Sequence, residues 1–400
     1  MFVNPFEDQK KEFLIPSDCE VVIVADLFAE DYLGGAELTT EALIKSSPLK
    51  LHKIHSKDVS IKTLESGYNK FWIFTNYSQM DLKLIPTIVS NIKYSIVEYD
   101  YKFCRYRSVE KHLSAEMKEC DCHNEMHGKL TSAFFHAATT VHYMSDAQMK
   151  RYQDRFPFLA DDEGSNQYVL SSCFSDEFFA AIKLLNEQAK DKKRKGWLVL
   201  GSTSWIKGTE AAIQWCKDNN KEYEVLQGLN HKEVLEKMSV AEGFVYLPLG
   251  GDTCPRMVIE AQLLGCKLEI NDNVQHMTEI PFCENDLLEI ETYLYANREI
   301  FWNTVKSDMN YMPSISGYIT TKDCISQQYP FENCINSMKA FCSEIVVMDG
   351  GSTDGTYEKL LELAGVDERI KVYQHNVDWN APRFAVEDGL QKARARAKCT

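Results

Sequence analysis

The chain has 400 residues, 44% of them hydrophobic and 11% aromatic, which is enough to bury more than one core and predicts two or three domains. A formal net charge of −15 argues against an extended nucleic-acid surface, because phosphate binding needs clustered Lys and Arg. With no apolar run near the ~18 residues of a membrane span, no signal-peptide core in MFVNPFEDQKKEF and thirteen scattered cysteines read as reduced thiols, the expectation is a cytoplasmic protein without a transmembrane segment.

In chain order, EVVIVADLF (20–28) reads as a buried strand, and YLGGAELTTEALIKSS (32–47) as a glycine turn entering an amphipathic helix. Short apolar runs follow at FWIFTN (71–76), YSIVEYD (94–100) and ATTVHYMS (138–145). This βαβα rhythm predicts a parallel sheet covered by helices on both faces. Around 154–195 the text becomes turn-rich, and EQAKDKKRKG reads as a solvated face or linker. The rhythm then restarts with WLVLGS, TEAAIQWCKDN, YEVLQG, HKEVLEKMSVA, GFVYLPLG, MVIEAQLLG and CKLEIND. The helix TYLYANREIFWNTVKSDM (292–309) carries an aromatic stripe expected to pack rather than to bind ligand, and MPSISG (312–317) makes a break. A third α/β unit closes the chain.

Three phrases carry candidate chemistry in the first 300 residues. Gly34-Gly35-Ala36-Glu37 lies between the first strand and its helix, where glycines admit a ligand to the backbone and free helix N–H groups attract an anion. In VLGSTSWIKGTEAAIQW (199–215), Ser202, Lys207 and Gly208 join a strand end to a helix start, so hydroxyls, amides and an ammonium can converge on a diphosphate. In LPLGGDTCPRMVIEAQLLG (247–265), Gly250, Gly251, Asp252 and Thr253 form a loop, Pro255 and Arg256 open a helix, and Glu260 sits inside it. A carboxylate there can accept two sugar or ribose hydroxyls while the loop amides hold a charged group. The plain alternatives are a helix-entry turn, a solvated lysine and a capped helix with an incidental Glu.

Two α/β units with this sequence of motifs resemble a GT-B glycosyltransferase, the retaining nucleotide-sugar-dependent class that includes sucrose synthase, over about residues 20–310. The resemblance implies a fold of two Rossmann-like domains, 1–172 for the acceptor and 173–312 for the donor. It also implies transfer of a sugar to a glycan, lipid-linked or protein hydroxyl, as in polysaccharide or glycan biosynthesis, with no metal cofactor. Glu260 would hold the donor ribose, Asp252 and its loop would face the donor sugar, and Lys207 would bind the diphosphate. Catalysis would fall to Asp252, Lys207 and Asp100, with Gly34, Gly35, Ser202, Gly208, Gly250, Gly251, Thr253 and Arg256 completing donor binding. The family's Arg after the strand glycine is Ser202 here, and its His-Asp pair is Tyr99-Asp100. A nucleotide-sugar epimerase of the same fold and a non-catalytic binding module are the other readings.

In FCRYRSVEKHLSAEMKECDCHNEMHGK (103–129), Cys104, Cys120, Cys122, His123 and His127 are a candidate zinc set, against which we set an acceptor-side loop with partly buried thiols. No metal site is therefore assigned. Residues 313–400, with ISGYITTKD, NCINSMKAF, EIVVMDGGSTDGT, IKVYQHN and VEDGLQKARARA in order, resemble the N-terminal part of an inverting GT-A glycosyltransferase. The resemblance implies a nucleotide site at Thr320, Asp349, Ser352 and Asp354. A complete module of that type would use a divalent metal, and the metal-binding and catalytic residues are expected beyond position 400.

Overall fold

The computed structural model describes residues 12–160, 166–279, 282–284, 286–310, 315–379 and 384–399. Residues 161–165 of the turn-rich stretch and 312–314 of the expected break lie outside them. The chain divides into two compact units, Met1–Asn310 and Tyr311–Thr400.

The first unit holds two parallel sheets. The first has the order β2-β1-β3-β4-β5-β6, from β1 (Val21–Ala25), β2 (Leu51–His55), β3 (Phe71–Phe74), β4 (Lys93–Glu98), β5 (Thr140–Tyr143) and β6 (Gln167–Val169). The second has the order β10-β9-β7-β8, from β7 (Trp197–Leu200), β8 (Tyr223–Leu226), β9 (Gly243–Tyr246) and β10 (Lys267–Ile270). Central strands such as VVIVA in β1 are buried at every position, which is why they read as continuous apolar runs. The two strands absent from the sequence reading, β2 and β6, lie at the sheet edges, where LHKIH and QYV carry polar residues on a partly exposed surface.

Side chains cap the helices where the sequence supplies them. Asn230 and Glu233 form a reciprocal capping box on the helix His231–Val240, and Ser175 caps Asp176–Ala189. One apolar core runs from β1 and β3 through Phe174, Phe178 and Phe179 to Phe244, Val258 and Trp302, so both sheets share it. The closing helix, Leu287–Asn310, starts before the predicted segment and returns to the first sheet. Its Trp302 indole donates to the Leu43 carbonyl at 3.0 Å, its Asn297 amide donates to Leu170 O at 2.6 Å, and its Asp308 accepts from Thr139 at 3.1 Å. The aromatic stripe packs, with Phe301 and Trp302 buried. The charge run is mostly exposed, as expected, with Arg194 the exception among its charged residues. Arg194 donates to Ala241 O (3.1 Å) and Leu264 O (2.6 Å), tying strand-flanking loops together rather than facing solvent alone.

The second unit is a parallel sheet of order β11-β12-β13, from β11 (Ser316–Thr321), β12 (Glu344–Asp349) and β13 (Ile370–Gln374). Helices Phe331–Met338 and Thr356–Val366 share a core on one face with Ile345 and Val347. On the other face Ala395, from the helix Phe384–Arg396, packs with Val346 and Met348.

Candidate active site

In a parallel α/β sheet, ligands bind beyond the carboxyl ends of the strands where the strand order reverses. In the second sheet that point lies between β7 and β9, so the loops after these strands, 201–208 and 247–255, face each other. In the first sheet it lies between β1 and β3, which puts the turn before Gly34 at the equivalent place.

A cavity of about 360 Å³ opens there, lined by Gly34, Gly35, Ser202, Lys207, Arg256 and Glu260 among others. Its size suits a nucleotide-sized ligand. Gly35 shows how the halves meet, since a Cβ at this position would lie 3.7 Å from the Cβ of Arg256. The GG loop of the first half therefore rests on the start of the helix Arg256–Leu263 in the second, whose leading residues Arg256 and Met257 also line the cavity. Free N–H groups at a helix start favour an anion.

Lys207 and Asp252, 45 residues apart, are brought into contact, with Nζ to Oδ2 at 2.7 Å and the Tyr246 hydroxyl donating to the same oxygen. Gly208 makes this approach feasible. Its φ is +62°, and a Cβ there would run into the Leu247 carbonyl, so only glycine lets the lysine loop lie against the 247–249 segment. Thr209 locks the loop by donating to Leu200 O at 2.8 Å and accepting from Ser202 N at 3.1 Å. Burial pushes the Asp252 pKa up, but the Lys207 charge and the hydrogen bonds from Lys207 and Tyr246 outweigh it and hold the carboxyl below the usual range. The carboxylate is thus ionised and paired rather than free to meet a sugar. Nearby His276 is buried and pushed down to about 3, so it is neutral.

Glu260 is 1% exposed. Its Oε1 accepts from His231 Nε2 at 2.9 Å and Arg256 Nε at 3.1 Å. Its Oε2 is buried and has no partner among the described residues. A buried acceptor without a donor is costly unless a ligand supplies one. Arg256 is committed elsewhere, donating to the Cys173 carbonyl and stacking 3.7 Å from the centre of the Phe174 ring. It orients Glu260 more than it offers a free cation to a diphosphate.

Several predicted residues do not line the cavity. The Asp100 carboxylate is taken by Arg107 (Nε at 2.6 Å) and Lys102 (3.4 Å), and Glu98 beside it is pushed up by burial despite Lys102. Gly250 and Gly251 pack closely against side chains. A Cβ on the first would sit 2.9 Å from the Glu110 Cβ, and one on the second 2.8 Å from an Arg151 guanidinium nitrogen. Thr253 donates to Tyr99 O at 2.9 Å, another tie between the halves. Asn230 and His231, unmarked in the sequence reading, do line the cavity. Their signal was the turn QGLNH directly after β8, another strand end on the same side of the sheet.

In the second unit, Asp349 is buried and its two oxygens accept from Thr321 Oγ1, Ser352 N and Oγ, Gly351 N and Gln374 Nε2 at 2.6–3.2 Å. Asp354 accepts from Ser326 N (2.7 Å), Thr356 N (3.0 Å) and Thr356 Oγ1 (2.6 Å). Both carboxylates knit strand-end loops, and Ser352 serves Asp349 in the same knot. Thr320 lies in β11 opposite Met348.

No family model and no curated protein matches the chain. Solved structures with some likeness include the UDP-forming α,α-trehalose-phosphate synthase of Burkholderia vietnamiensis, 9% identical, covering 72% of this chain and 100% of that one at TM-score 0.43. The corresponding enzyme of Burkholderia xenovorans is 9% identical over 61% and 74% of the chains at TM-score 0.40. Anabaena Alr3699/HepE, solved with UDP and glucose, is 11% identical over 73% and 97% at TM-score 0.39. At these values the likeness is one of general α/β architecture.

Proposed function

We propose that residues 20–310 form a GT-B-type glycosyltransferase that takes a nucleotide-sugar in the cavity between its halves and passes the sugar to a hydroxyl acceptor. The observation that carries this reading is the partnerless buried Glu260 Oε2, in a cavity that also holds Lys207, a helix start and the GG loop of the opposite half. In this reading Oε2 accepts a ribose hydroxyl, while His231 and Arg256 keep the carboxylate oriented. The diphosphate lies against the amides of Arg256 and Met257 and against Lys207. As the bond from the sugar C1 to the diphosphate oxygen breaks and the bond to the acceptor oxygen forms, negative charge grows on the diphosphate, whose departing oxygen then takes the acceptor hydroxyl's proton. Lys207 turns from Asp252 to meet that charge, which stabilises the transition state more than the ground state. Asp252 holds the ammonium in place until then. Retention at C1 follows from the family resemblance, as does a glycan, lipid-linked or protein acceptor. Domain bounds of 1–172, 173–312 and 313–400 belong to the same proposal, with the last a GT-A-like unit.

One observation favours a second reading, a binding module without turnover. Lys207 is already ion-paired, Arg256 is committed to Glu260 and Cys173, and Ser202 stands where the resemblance places an arginine. A panel of UDP-, GDP- and ADP-sugars, scored by thermal shift and by nucleotide release for wild type and Glu260→Ala, separates the two. Binding with release supports transfer, and binding without release supports the module. If no nucleotide-sugar binds, both readings fall.

A further inference from the structure

The loop-rich segment after β4 gathers four soft metal ligands on its interior side. Cys104, His112, Cys120 and Cys122 are all buried, with 0–4% of their surface exposed, and their ligand atoms lie within 4.8 Å of one another. The His112 Nδ1 is 3.7 Å from the Cys104 sulfur and 3.4 Å from the Cys122 sulfur. Tetrahedral zinc with bonds of about 2.3 Å to sulfur and about 2.0 Å to nitrogen has sulfur–nitrogen edges of about 3.5 Å. These two edges lie close to the sulfur–nitrogen edges of a zinc tetrahedron. Three thiols and one imidazole are also a donor set that selects zinc over the oxygen-seeking cations.

The sequence pointed to a different histidine. His127 is occupied, its Nε2 lying 2.6 Å from the Lys102 carbonyl, and neither it nor His123 belongs to the cluster. His112 was hidden because it lies in the middle of an unrelated-looking helix, Val109–Glu116, and reaches the thiols only because the chain folds back on both sides. The left-handed residues Arg107 (φ +56°) and Met117 (φ +53°) bracket that helix and make the two reversals.

We propose that Cys104, His112, Cys120 and Cys122 bind one structural zinc ion that fixes segment 104–122. The segment has a single short helix between irregular stretches, so its backbone gains little from regular hydrogen bonding, and a metal can supply the missing folding energy. The position gives the ion a consequence for the candidate active site. From the stapled helix, Glu110 pairs with Arg151 at 2.6 Å and lies against Gly250, two residues before Asp252. From the preceding turn, Arg107 holds Asp100. The ion thus shapes the wall on which the Asp252 loop rests. This inference stands whether or not the protein transfers sugar.

The test is elemental analysis of the full chain, purified without a metal-affinity tag under reducing conditions. About one zinc per chain is expected, resistant to dialysis and released by an organomercurial thiol reagent. His112→Ala and Cys122→Ser should lose it, whereas His123→Ala should retain it. Should the first two variants fail to fold, cobalt(II) exchange into the wild-type chain gives the second readout: thiolate-to-cobalt charge-transfer bands with intense tetrahedral d–d bands. Absence of stoichiometric zinc together with absence of those bands overturns the proposal. So does a disulfide among Cys104, Cys120 and Cys122 in the freshly purified protein, or zinc that stays in a folded Cys122→Ser and leaves with His123→Ala.

Discussion

Replacing Glu260 by Gln tests the donor site at its centre. Gln can keep its oxygen where Oε1 accepts from His231 and Arg256 and place its amide where Oε2 is empty. Shape and contacts survive, and the charge is lost. Two effects follow, and they separate. The Arg256 side chain, 6% exposed, loses its counter-charge, which costs roughly 3 kcal/mol of stability, the low end for breaking a buried pair. A hydroxyl donating to a carboxylate contributes about 1.5–3 kcal/mol, so nucleoside diphosphate and nucleotide-sugar should both bind roughly 10- to 150-fold more weakly. The ribose takes no part in bond breaking, so KM should rise while kcat changes little. Calorimetric titration with the nucleotide that the panel selects measures the loss of binding, and a scanning melt measures the loss of stability. A Kd within about twofold of wild type in a folded variant would remove Glu260 from the donor site.

Lys207→Met should cut kcat by roughly 10²- to 10³-fold, as for loss of one transition-state charge partner. It should also move the acid limb of the stability curve. The Asp252 carboxyl is held low in the native state, so its stabilising contribution is present above the ordinary carboxylate range and is lost as pH falls through its depressed value. Without the ammonium, burial raises that value, so this acid-induced loss shrinks and the melting temperature of Lys207→Met should fall less steeply than that of wild type as pH drops through the carboxylate range. Gly208→Ala should destabilise by about 2–5 kcal/mol in urea titration, from a left-handed backbone and collision with the Leu247 carbonyl. Glu279, 8% exposed and accepting from Asp146 N at 2.8 Å, is pushed up by burial to about 7. Its native form holds a proton that the unfolded form releases near pH 4.5, so stability declines between these values as pH rises. Glu279→Gln should be more stable than wild type by about 3 kcal/mol at pH 8, the gain vanishing below about pH 4.5.

The sequence by itself determined the elements and much of the site. Buried parallel strands write themselves as apolar runs, and capped helices announce their starts, so the alternation of β and α was legible from EVVIVADLF to IKVYQHN. Edge strands β2 and β6 escaped because a partly exposed strand needs no apolar run. Six of the predicted donor residues line one cavity, because strand-end loops of a parallel sheet converge wherever the strand order reverses. What only the tertiary structure decided was how each polar side chain spends its hydrogen bonds. Asp100, Asp349 and Asp354 have the right residue type and place, yet Arg107, Ser352 and Ser326, only the last of them distant along the chain, already donate to them. Glu260 keeps one oxygen free, and Lys207 meets Asp252 across 45 residues. His112, four residues into a helix, joins three cysteines that the sequence grouped only with His123 and His127 as candidates. Spacing along the chain fixes which residues share a turn or a strand end, whereas pairing between polar groups is set by distances that exist only once the chain has closed on itself.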